Sequence, residues 1–492
     1  MRLASVIRLS RWALGAVLAL LLFTVFASLK VPPARSQGRE STPPPDIVFV
    51  QAPVVVTGEL TKRFPRGSHL VRLSSDARPQ KEANLTPNLF AAADPYVSPD
   101  ASKVLFTAQK AAGARWQVWE MNADGSNQRQ ITHCAGDCSR PAYLPGSEIV
   151  FAVIAGKDSR ANSQLFVSRA DGSQVRQITF GPGNFQVETV LRDGRILVSA
   201  ESLLGAPTNE PGNRFLYTIR SDGTGLALFR SDATSNPLGT GADELEDGAI
   251  LFVTRGAPAS PKSGGELAWI GPGAAHRTRI TPQQPSFWSA QELDGNKLVV
   301  SKRGAGAGGT ARFDLYSFDL SSRSLGKLIY SNPKFSSVQA VPLEPHPVPN
   351  HYLSILHLQQ ERGRVICLNA YLTADRPSGR LQGRIAKVRV RALSGGTRRD
   401  IILGEAPVEE DGSFYVSVPA DQPIRFELLT ASGRVMHAQR SWVWTRPGED
   451  MGCAGCHDDK AQAPANHWPE ALNRFDTPIV LGETIRAKAT GR

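Results

Sequence analysis

The residues best suited to chemistry in this sequence are Cys453-Ala454-Gly455-Cys456-His457. A C-x-x-C-H run is the attachment signature of a c-type haem. Its two thiols can form thioether bonds to the vinyl groups of a porphyrin, and the histidine that follows can ligate the iron. We therefore predict one covalent haem c on Cys453 and Cys456, with His457 as an axial ligand of the iron.

The second axial ligand of the iron is left open by the sequence. His467, ten residues after His457, is one candidate. The other candidates lie earlier in the chain and are Met436, His437, His346, His351 and His357. Two protein ligands would favour electron transfer, whereas a five-coordinate iron would leave room for a substrate.

Two other interpretations of the motif compete with haem. The two cysteines could be half of a zinc site completed by His467 and by Asp458 or Asp459. They could also be a thiol redox pair, but such pairs sit at a helix start in a βαβ fold, and the surrounding pattern predicts no such unit.

Three further cysteines lie outside the motif. Cys134 and Cys138 share a loop-like stretch, and we predict a local disulfide between them in an oxidising compartment. A metal site with His133 and Asp137 is the alternative. Cys367 lies in the apolar run Val-Ile-Cys-Leu and is interpreted as a buried strand thiol.

The N-terminus tests the haem prediction, because haem c is attached outside the cytoplasm. Arg2, Arg8 and Arg11 precede an apolar run over residues 12–29, with small residues suited to cleavage after Ala27. The run is also long enough for an uncleaved membrane anchor. Either interpretation predicts an exported, periplasmic protein, with the membrane involved only through this segment and with no nucleic-acid partner.

The formal net charge is +11, and one concentration of basic residues stands out between Arg376 and Arg399. Within it, Lys387, Arg389 and Arg391 alternate with apolar residues, which predicts a strand with one charged face. The simpler interpretation is a solvated face of an antiparallel sheet. The alternative is a docking face for an acidic partner or for haem propionates.

The region from residue 46 to about 345 is built from repeats. The clearest copy runs from Asp94 to Thr132 and the next ends at Thr179, 47 residues later. Repeats of 40 to 50 residues with four short strands each are typical of a β-propeller. We count six copies. Their S-P-D openings and D-G-S-x-x-R-Q-I-T endings resemble the TolB-type propeller, and no G-x-S-x-G elbow of a hydrolase occurs in the chain.

The remaining segments complete an all-β domain plan. Alternating strands and turn pairs such as Asp411-Gly412 predict a small β-sandwich over residues 346–450. Residues 1–27 are the signal peptide or anchor, 28–45 a linker, 46–345 the propeller and 451–492 the haem segment, with a short helix near Pro469.

The order of these elements resembles the hydrazine synthase alpha subunit family. The resemblance rests on the propeller, on G-E-A-P-V-E-E-D-G-S-F (404–414), on P-A-D-Q-P-I (419–424) and on the junction into C-A-G-C-H. It implies kinship with a multihaem enzyme that joins nitrogen compounds within a larger complex. The family has a second haem domain further on, whereas this chain has one C-x-x-C-H.

Three functions are consistent with these patterns. The first is an exported mono-haem protein that transfers electrons to a redox partner. The second is a catalytic haem subunit of the hydrazine synthase-like class, and the third is a TolB-like scaffold without redox function. The sequence does not fix the oligomeric state.

Overall fold

The structure is a computed structural model that describes most of the chain after residue 43. The described ranges are 44–55, 64–75, 81–156, 162–201, 214–229, 237–254, 264–271, 278–280, 286–304, 312–373, 376, 378–394, 400–439, 441–456 and 468–482. The predicted signal segment lies outside these ranges, as do His457 and His467. No helix within them is long and apolar enough to cross a membrane.

Residues 47–342 form six four-stranded antiparallel sheets. Their strands, in chain order, are β1 (Ile47–Ala52), β2 (His69–Ser74), β3 (Lys81–Asn84), β4 (Ala91–Val97), β5 (Lys103–Gln109), β6 (Trp116–Asn122), β7 (Arg129–Gln130), β8 (Asp137–Leu144), β9 (Glu148–Ala155), β10 (Asn162–Arg169), β11 (Arg176–Gln177), β12 (Gln186–Val190), β13 (Ile196–Glu201), β14 (Arg214–Ile219), β15 (Ala227–Leu228), β16 (Pro237–Glu244), β17 (Ile250–Thr254), β18 (Glu266–Ile270), β19 (Thr278–Arg279), β20 (Phe287–Asp294), β21 (Lys297–Arg303), β22 (Phe313–Asp319), β23 (Ser324–Tyr330) and β24 (Ser336–Pro342).

The six sheets are the blades of a closed propeller. Strand β24 pairs with β1, so the last strand completes the first blade in the order β24-β1-β2-β3. The innermost strands β24, β4, β8, β12, β16 and β20 pack against one another around the ring, with β20 meeting β24 again. The predicted fold class, an all-β chain with a six-bladed TolB-like propeller followed by a β-sandwich, is confirmed.

The repeated threonine at the end of a copy has a structural role. Its hydroxyl accepts a hydrogen bond from a backbone N–H of the third strand of the same blade, counted from the centre of the ring. The pairs are Thr86 with Leu70 at 3.0 Å, Thr132 with Val118 at 2.9 Å and Thr179 with Leu165 at 2.9 Å. Because each threonine is buried, its hydroxyl gives a backbone N–H of the third strand a partner in a place that water does not reach.

A belt of polar contacts links the innermost strands of every pair of neighbouring blades. The links are Gln339 Nε2 to Asp94 Oδ1 at 2.9 Å, the Arg140 N–H to Asp94 Oδ2 at 3.1 Å, Arg140 to Glu188 at 3.2 Å, the Gly241 N–H to Glu188 at 3.0 Å, the Glu292 N–H to Asp243 at 2.7 Å and the Gln339 N–H to Ser289 at 3.0 Å. Buried polar groups are stable when they are paired in this way. The belt therefore fixes the blades relative to one another.

The region from residue 362 to residue 480 is a sandwich of two four-stranded sheets. Its elements are β25 (Arg362–Cys367), β26 (Lys387–Leu393), β27 (Asp400–Pro407), β28 (Phe414–Pro419), β29 (Ile424–Leu429), β30 (Val435–Ala438), β31 (Asp450–Cys453), the 3₁₀ helix η1 (Glu470–Asn473) and β32 (Ile479–Val480). One sheet has the order β31-β25-β28-β32 and the other β27-β26-β29-β30. Apolar side chains of both sheets form one core. The short helix predicted near Pro469 is thus a single 3₁₀ turn.

Candidate functional site

The first cysteine of the motif ends an edge strand of the sandwich. Strand β31 runs parallel to β25, with Cys453 directly opposite Cys367. The Cys453 carbonyl accepts a hydrogen bond from the Leu368 N–H at 2.9 Å. Burial alternates along both strands and is greater at Cys367 and Cys453 than at their neighbours, which directs both side chains toward the core. The motif is therefore built into the sheet.

The second cysteine of the motif is held by the loop that follows β25. Its N–H donates to the Leu372 carbonyl at 2.9 Å, and its side chain is buried in the sandwich core. A Cβ at Gly455 would lie 2.6 Å from the same carbonyl oxygen. Only glycine lets the chain between the two cysteines approach the loop this closely.

Met436 lies on the same side of the sandwich as the motif. Leu481, after β32, packs against Gly404 of β27, so these two outer strands face each other across the core. The opposite edges, β30 and β31, must then also lie together. Met436 of β30 contacts Gly383, in the stretch between Leu372 and β26. Of the candidates for the second iron ligand that the structure describes, Met436 and His437 are the two on this edge.

The other candidate ligands are placed against the propeller or the junction. His346 Nε2 lies 3.2 Å from the Val97 carbonyl, and the His351 ring lies beside Gly146. The His357 N–H donates to the Pro447 carbonyl at 3.1 Å. His346 and His351 thus hold the connecting segment on the propeller, and the structure does not bring them to the motif edge.

The chain after the motif returns to the sandwich. The Glu470 N–H donates to Asp411 at 2.9 Å, and the Ala471 N–H donates to Ser413 at 2.9 Å, which attaches η1 to the turn before β28. Trp468 and Phe475, on either side of η1, are exposed. Both are large apolar side chains at the surface of the described part of the chain.

A short segment before β31 fastens the sandwich to the propeller. The Trp444 ring packs between Phe180 and Phe185, with centroids 6.2 and 5.9 Å apart, and its Nε1 donates to the Gly223 carbonyl at 3.3 Å. Trp442 instead lies under the Arg425 guanidinium within the sandwich. Apart from an isolated bridge between Val443 and Ile424, residues 441–449 form no strand, and the two tryptophans have different surroundings.

Arg446 is the charged centre of this junction. Its side chain is 4% exposed, its Nε donates to the Asp222 carbonyl at 2.9 Å, and its guanidinium pairs with Asp421 and covers the Phe180 ring at 4.9 Å. A Cβ at Gly223, where φ is +87°, would lie 2.9 Å from Arg446 Nε. The Asp-Gly turn of the fourth blade is therefore shaped to receive Arg446.

Glu449 links the junction to the motif strand. Its Oε2 accepts the Arg446 N–H at 2.7 Å, and its own carbonyl accepts the Arg364 N–H at 2.8 Å. Burial raises the pKa of Glu449 to about 7, and the nearby Asp222 charge acts in the same direction. The carboxyl next to β31 therefore titrates near neutral pH.

The basic strand of the sandwich meets acidic neighbours. Arg389 contacts Glu405 at 2.7 Å and Glu427 at 3.4 Å, and Arg391 contacts Asp400 at 2.8 Å. These acids come from β27 and β29, the strands on either side of β26. The interpretation as a solvated sheet face is confirmed, since the positive charge is balanced within the sheet.

Cys134 and Cys138 are neighbouring thiols in the structure. A hydrogen bond from the Cys138 thiol lowers the pKa of Cys134, and the same contact, with burial, raises the pKa of Cys138. The Cys138 sulfur also lies 3.4 Å from Thr132 Oγ1. No three His, Cys, Asp or Glu side chains in the described part of the chain are grouped to hold a metal ion, so His133 and Asp137 complete no such site here. The disulfide stays a prediction.

Comparison with known proteins supports this architecture. Residues 364–458 match the model of the hydrazine synthase alpha subunit middle domain. The hydrazine synthase subunit alpha of Kuenenia stuttgartiensis is 21% identical over 89% of this chain and 70% of that protein. The solved hydrazine synthase of the same organism matches with a TM-score of 0.75 and 20% identity, over 88% of this chain and 71% of that one. TolB from Acinetobacter baumannii matches with a TM-score of 0.45 and 15% identity, over 60% of this chain and 66% of that one.

The blades, the sandwich and the motif strand define a class of protein in which a β-propeller carries a hydrazine synthase alpha-type middle domain. Within that class, the chain is hydrazine synthase alpha-like, as its sequence motifs had suggested. The matched protein of Kuenenia stuttgartiensis is itself the alpha subunit of a hydrazine synthase.

Sequence reasoning missed two parts of this site. The pairing of Cys367 with Cys453 joins strands about 86 positions apart, and no local pattern signals such a register. The role of Arg446 depends on a contact with blade four. The sequence signals for this contact are the Asp222-Gly223 turn and the run W-V-W-T-R (442–446). They lie more than 200 residues apart, so no local pattern connects them.

Proposed function

We propose that the chain is a haem c-carrying subunit of a hydrazine synthase-like complex and that its haem transfers electrons to a partner protein. The observation that carries this proposal is the placement of Cys453 at the end of an edge strand of the middle domain, with Cys456 fixed just beyond it by the Leu372 carbonyl. The strand β31 is paired on one side only within the described residues. A planar group attached to Cys453 and Cys456 would therefore lie at this edge of the sandwich, next to the core into which both side chains point.

The residues present fit a covalent haem. Cys453 and Cys456 are anchored through their own backbones, by Leu368 and Leu372, so their sulfurs are positioned without help from the cofactor. Met451 and Met436 supply apolar surface beside them, and exposed Trp468 follows in sequence. When bound, the haem would supply an iron that changes oxidation state by one electron. His457 is the proposed axial ligand.

The chain's own residues would hold this group at the surface and fix its orientation. Trp444 and Arg446 tie the segment before β31 to the propeller, and η1 ties the segment after it to the turn at Asp411. A redox centre held between two anchors at a sheet edge suits electron exchange with a docked protein. The exposed side chains of Trp468 and Phe475 mark where that protein would dock.

The test is expression of the full chain with a haem c maturation system. We expect a haem-stained band after denaturing electrophoresis and a pyridine haemochrome of one haem per chain. Replacement of both Cys453 and Cys456 by Ala should abolish the stain, whereas the matched replacement of Cys134 and Cys138 should leave it unchanged. A wild-type chain without covalent haem would refute the proposal and leave the scaffold function.

A catalytic haem is the second candidate, and it is favoured by the match to an alpha subunit of a hydrazine synthase. The reduced protein separates the two functions, because an open iron binds CO or NO and shifts its Soret band. We expect no shift for electron transfer. A shift at stoichiometric CO would overturn that assignment in favour of catalysis on a small nitrogen compound.

Export to the periplasm is part of the proposal, because haem c attachment requires it. The support is the basic and apolar N-terminal sequence. N-terminal sequencing of the purified protein should begin after Ala27 if the segment is a cleaved signal peptide. Recovery of the intact N-terminus in the membrane fraction would instead establish an anchor.

A further inference from the structure

Cys367 shares the motif edge with both attachment cysteines. It is 2% exposed, belongs to the same apolar core as Cys456, and lies opposite Cys453 in the parallel pair β25–β31. Directly paired residues of neighbouring strands point to the same side of a sheet. The side chains of Cys367 and Cys453 are therefore adjacent.

The spacing of paired strands suits a covalent bond between these two residues. Neighbouring strands lie about 4.8 Å apart, and disulfides join residues whose Cα atoms are roughly 4.4–6.8 Å apart. Strand β31 is short and lies at the edge, so a small shift can bring the two Cβ atoms together.

We propose that Cys367 and Cys453 form a disulfide in the haem-free protein and that this bond protects the attachment thiol until it is reduced. The disulfide rests on the strand register alone, whereas its role in attachment rests on the proposed function. Cys367 is then a third thiol of the attachment site. Cys456 remains a thiol in this state.

The chemistry is thiol–disulfide exchange with a thioredoxin-like protein. An oxidant of that class forms a mixed disulfide with one cysteine, and the thiolate of the other displaces it. Cys367 and Cys453 together lose two protons and two electrons, and the disulfide of the oxidant gains them as two thiols. A dithiol reductant of the same class reverses the step and frees Cys453 to form its thioether.

The direct test uses the full chain exported without haem maturation. Accessible thiols are blocked with N-ethylmaleimide, and the unreduced protein is digested and analysed by mass spectrometry. We expect a linked peptide pair that contains Cys367 and Cys453 and disappears after reduction. A Cys453–Cys456 link, or alkylation of Cys367 and Cys453 together, would overturn the proposal.

A variant removes the competing bond within the motif. In Cys456→Ser, only Cys367 can protect Cys453 locally, so we expect maleimide to modify Cys453 at least tenfold more slowly than after treatment with dithiothreitol. In the double variant Cys367→Ala with Cys456→Ser the difference should vanish. If maleimide modifies Cys453 of Cys456→Ser at the same rate before and after dithiothreitol treatment, the disulfide is refuted. Cys138→Ser serves as a control that leaves this edge intact.

The outcomes are distinguishable from failure of the haem proposal. Haem staining of matured wild-type protein reports on attachment, and peptide mapping of the unmatured protein reports on the disulfide. Because Cys367 is buried, the fold of Cys367→Ala and of Cys367→Ser is checked by their denaturation midpoints. A mapped Cys367–Cys453 bond in a chain that never takes up haem would keep the disulfide and reject its role in attachment.

Discussion

The propeller and the sandwich solve the same problem of exposed strand edges in different ways. The propeller pairs its last strand with its first, so its sheets close into a ring and its buried polar groups link blade to blade. The sandwich leaves β31 at an edge of its sheet. Cys453 ends this strand, and Cys456 of the same motif follows shortly after it. An unpaired edge strand exposes backbone N–H and C=O groups that can pair with another chain.

From this difference we infer that the propeller is the structural scaffold and that the sandwich edge carries the candidate site. The segment around Trp444 and Arg446 joins the two regions. The innermost strands of the propeller are linked to one another by polar contacts between their own residues. The motif edge carries three thiols, those of Cys367, Cys453 and Cys456. Trp444 and Arg446 make the contacts between the two regions.

The largest expected effect comes from breaking the junction with Arg446→Ala. The substitution removes a buried cation from Asp421 and from the Asp222 carbonyl, and loss of one partner of a buried ion pair costs about 3–5 kcal/mol. Urea denaturation followed by tryptophan fluorescence should show this loss, because Trp444 reports on the same contact. The control, Arg384→Ala, removes an exposed side chain 3.9 Å from Glu410 and should change little. A loss below about 1 kcal/mol would show that the two regions are independent.

A smaller effect is expected in the propeller belt from Asp94→Ala. Asp94 accepts hydrogen bonds from Thr107 at 2.8 Å, from Gln339 at 2.9 Å and from the Arg140 N–H at 3.1 Å. Leaving these donors unpaired should cost about 3 kcal/mol, measured as the free energy of unfolding. Asp124→Ala, in an exposed turn, is the matched control and should cost much less, because water can replace its hydrogen bonds. Equal costs for the two variants would contradict the belt.

The junction should also respond to pH through Glu449. Its pKa is raised from 4.5 to about 7, so the folded protein retains a proton that the unfolded chain has already released. Stability should therefore fall as the pH rises from 4.5 to 7 and stay constant above that window. Glu449→Gln should remove this slope and be about 2 kcal/mol more stable than wild type at pH 8. Unfolding free energies at pH 4.5 and 8 check this, with exposed Glu410→Gln as control, and a slope that persists in Glu449→Gln would assign it elsewhere.

The smallest effect is expected on the charged face of the sandwich. Arg389→Ala removes ion pairs with Glu405 and Glu427 that lie on the outer face of the sheet and keep some exposure to water, which should cost about 1 kcal/mol and become smaller in high salt. Unfolding at low and at 1 M salt measures both features. A cost above about 2 kcal/mol that is insensitive to salt would mean that this face is structurally more like the junction than we infer.

The sequence was sufficient for what repeats along the chain. The Asp-Gly turns and the terminal threonines recur with the period of a blade, so each copy reinforces the others and six blades can be counted. The site depends on pairings between distant residues. Cys367 carries no sign that it faces Cys453, and Trp444 looks like a strand residue although it inserts between Phe180 and Phe185. Such contacts follow from the packing of complete domains, which local patterns do not encode.

The closure of the ring has a consequence for the order of folding. Strand β1 pairs with β24, roughly 290 residues later, and β25 pairs with β31, roughly 86 residues later. Contacts between residues so far apart in sequence form slowly. During synthesis the first blade stays incomplete until its innermost strand, β24, has been made. Strand β31, which bears Cys453, is then added to a sandwich whose central strands already exist. The molecule therefore completes its scaffold before its site, and a premature stop between residues 343 and 449 would yield a closed propeller that lacks the motif edge.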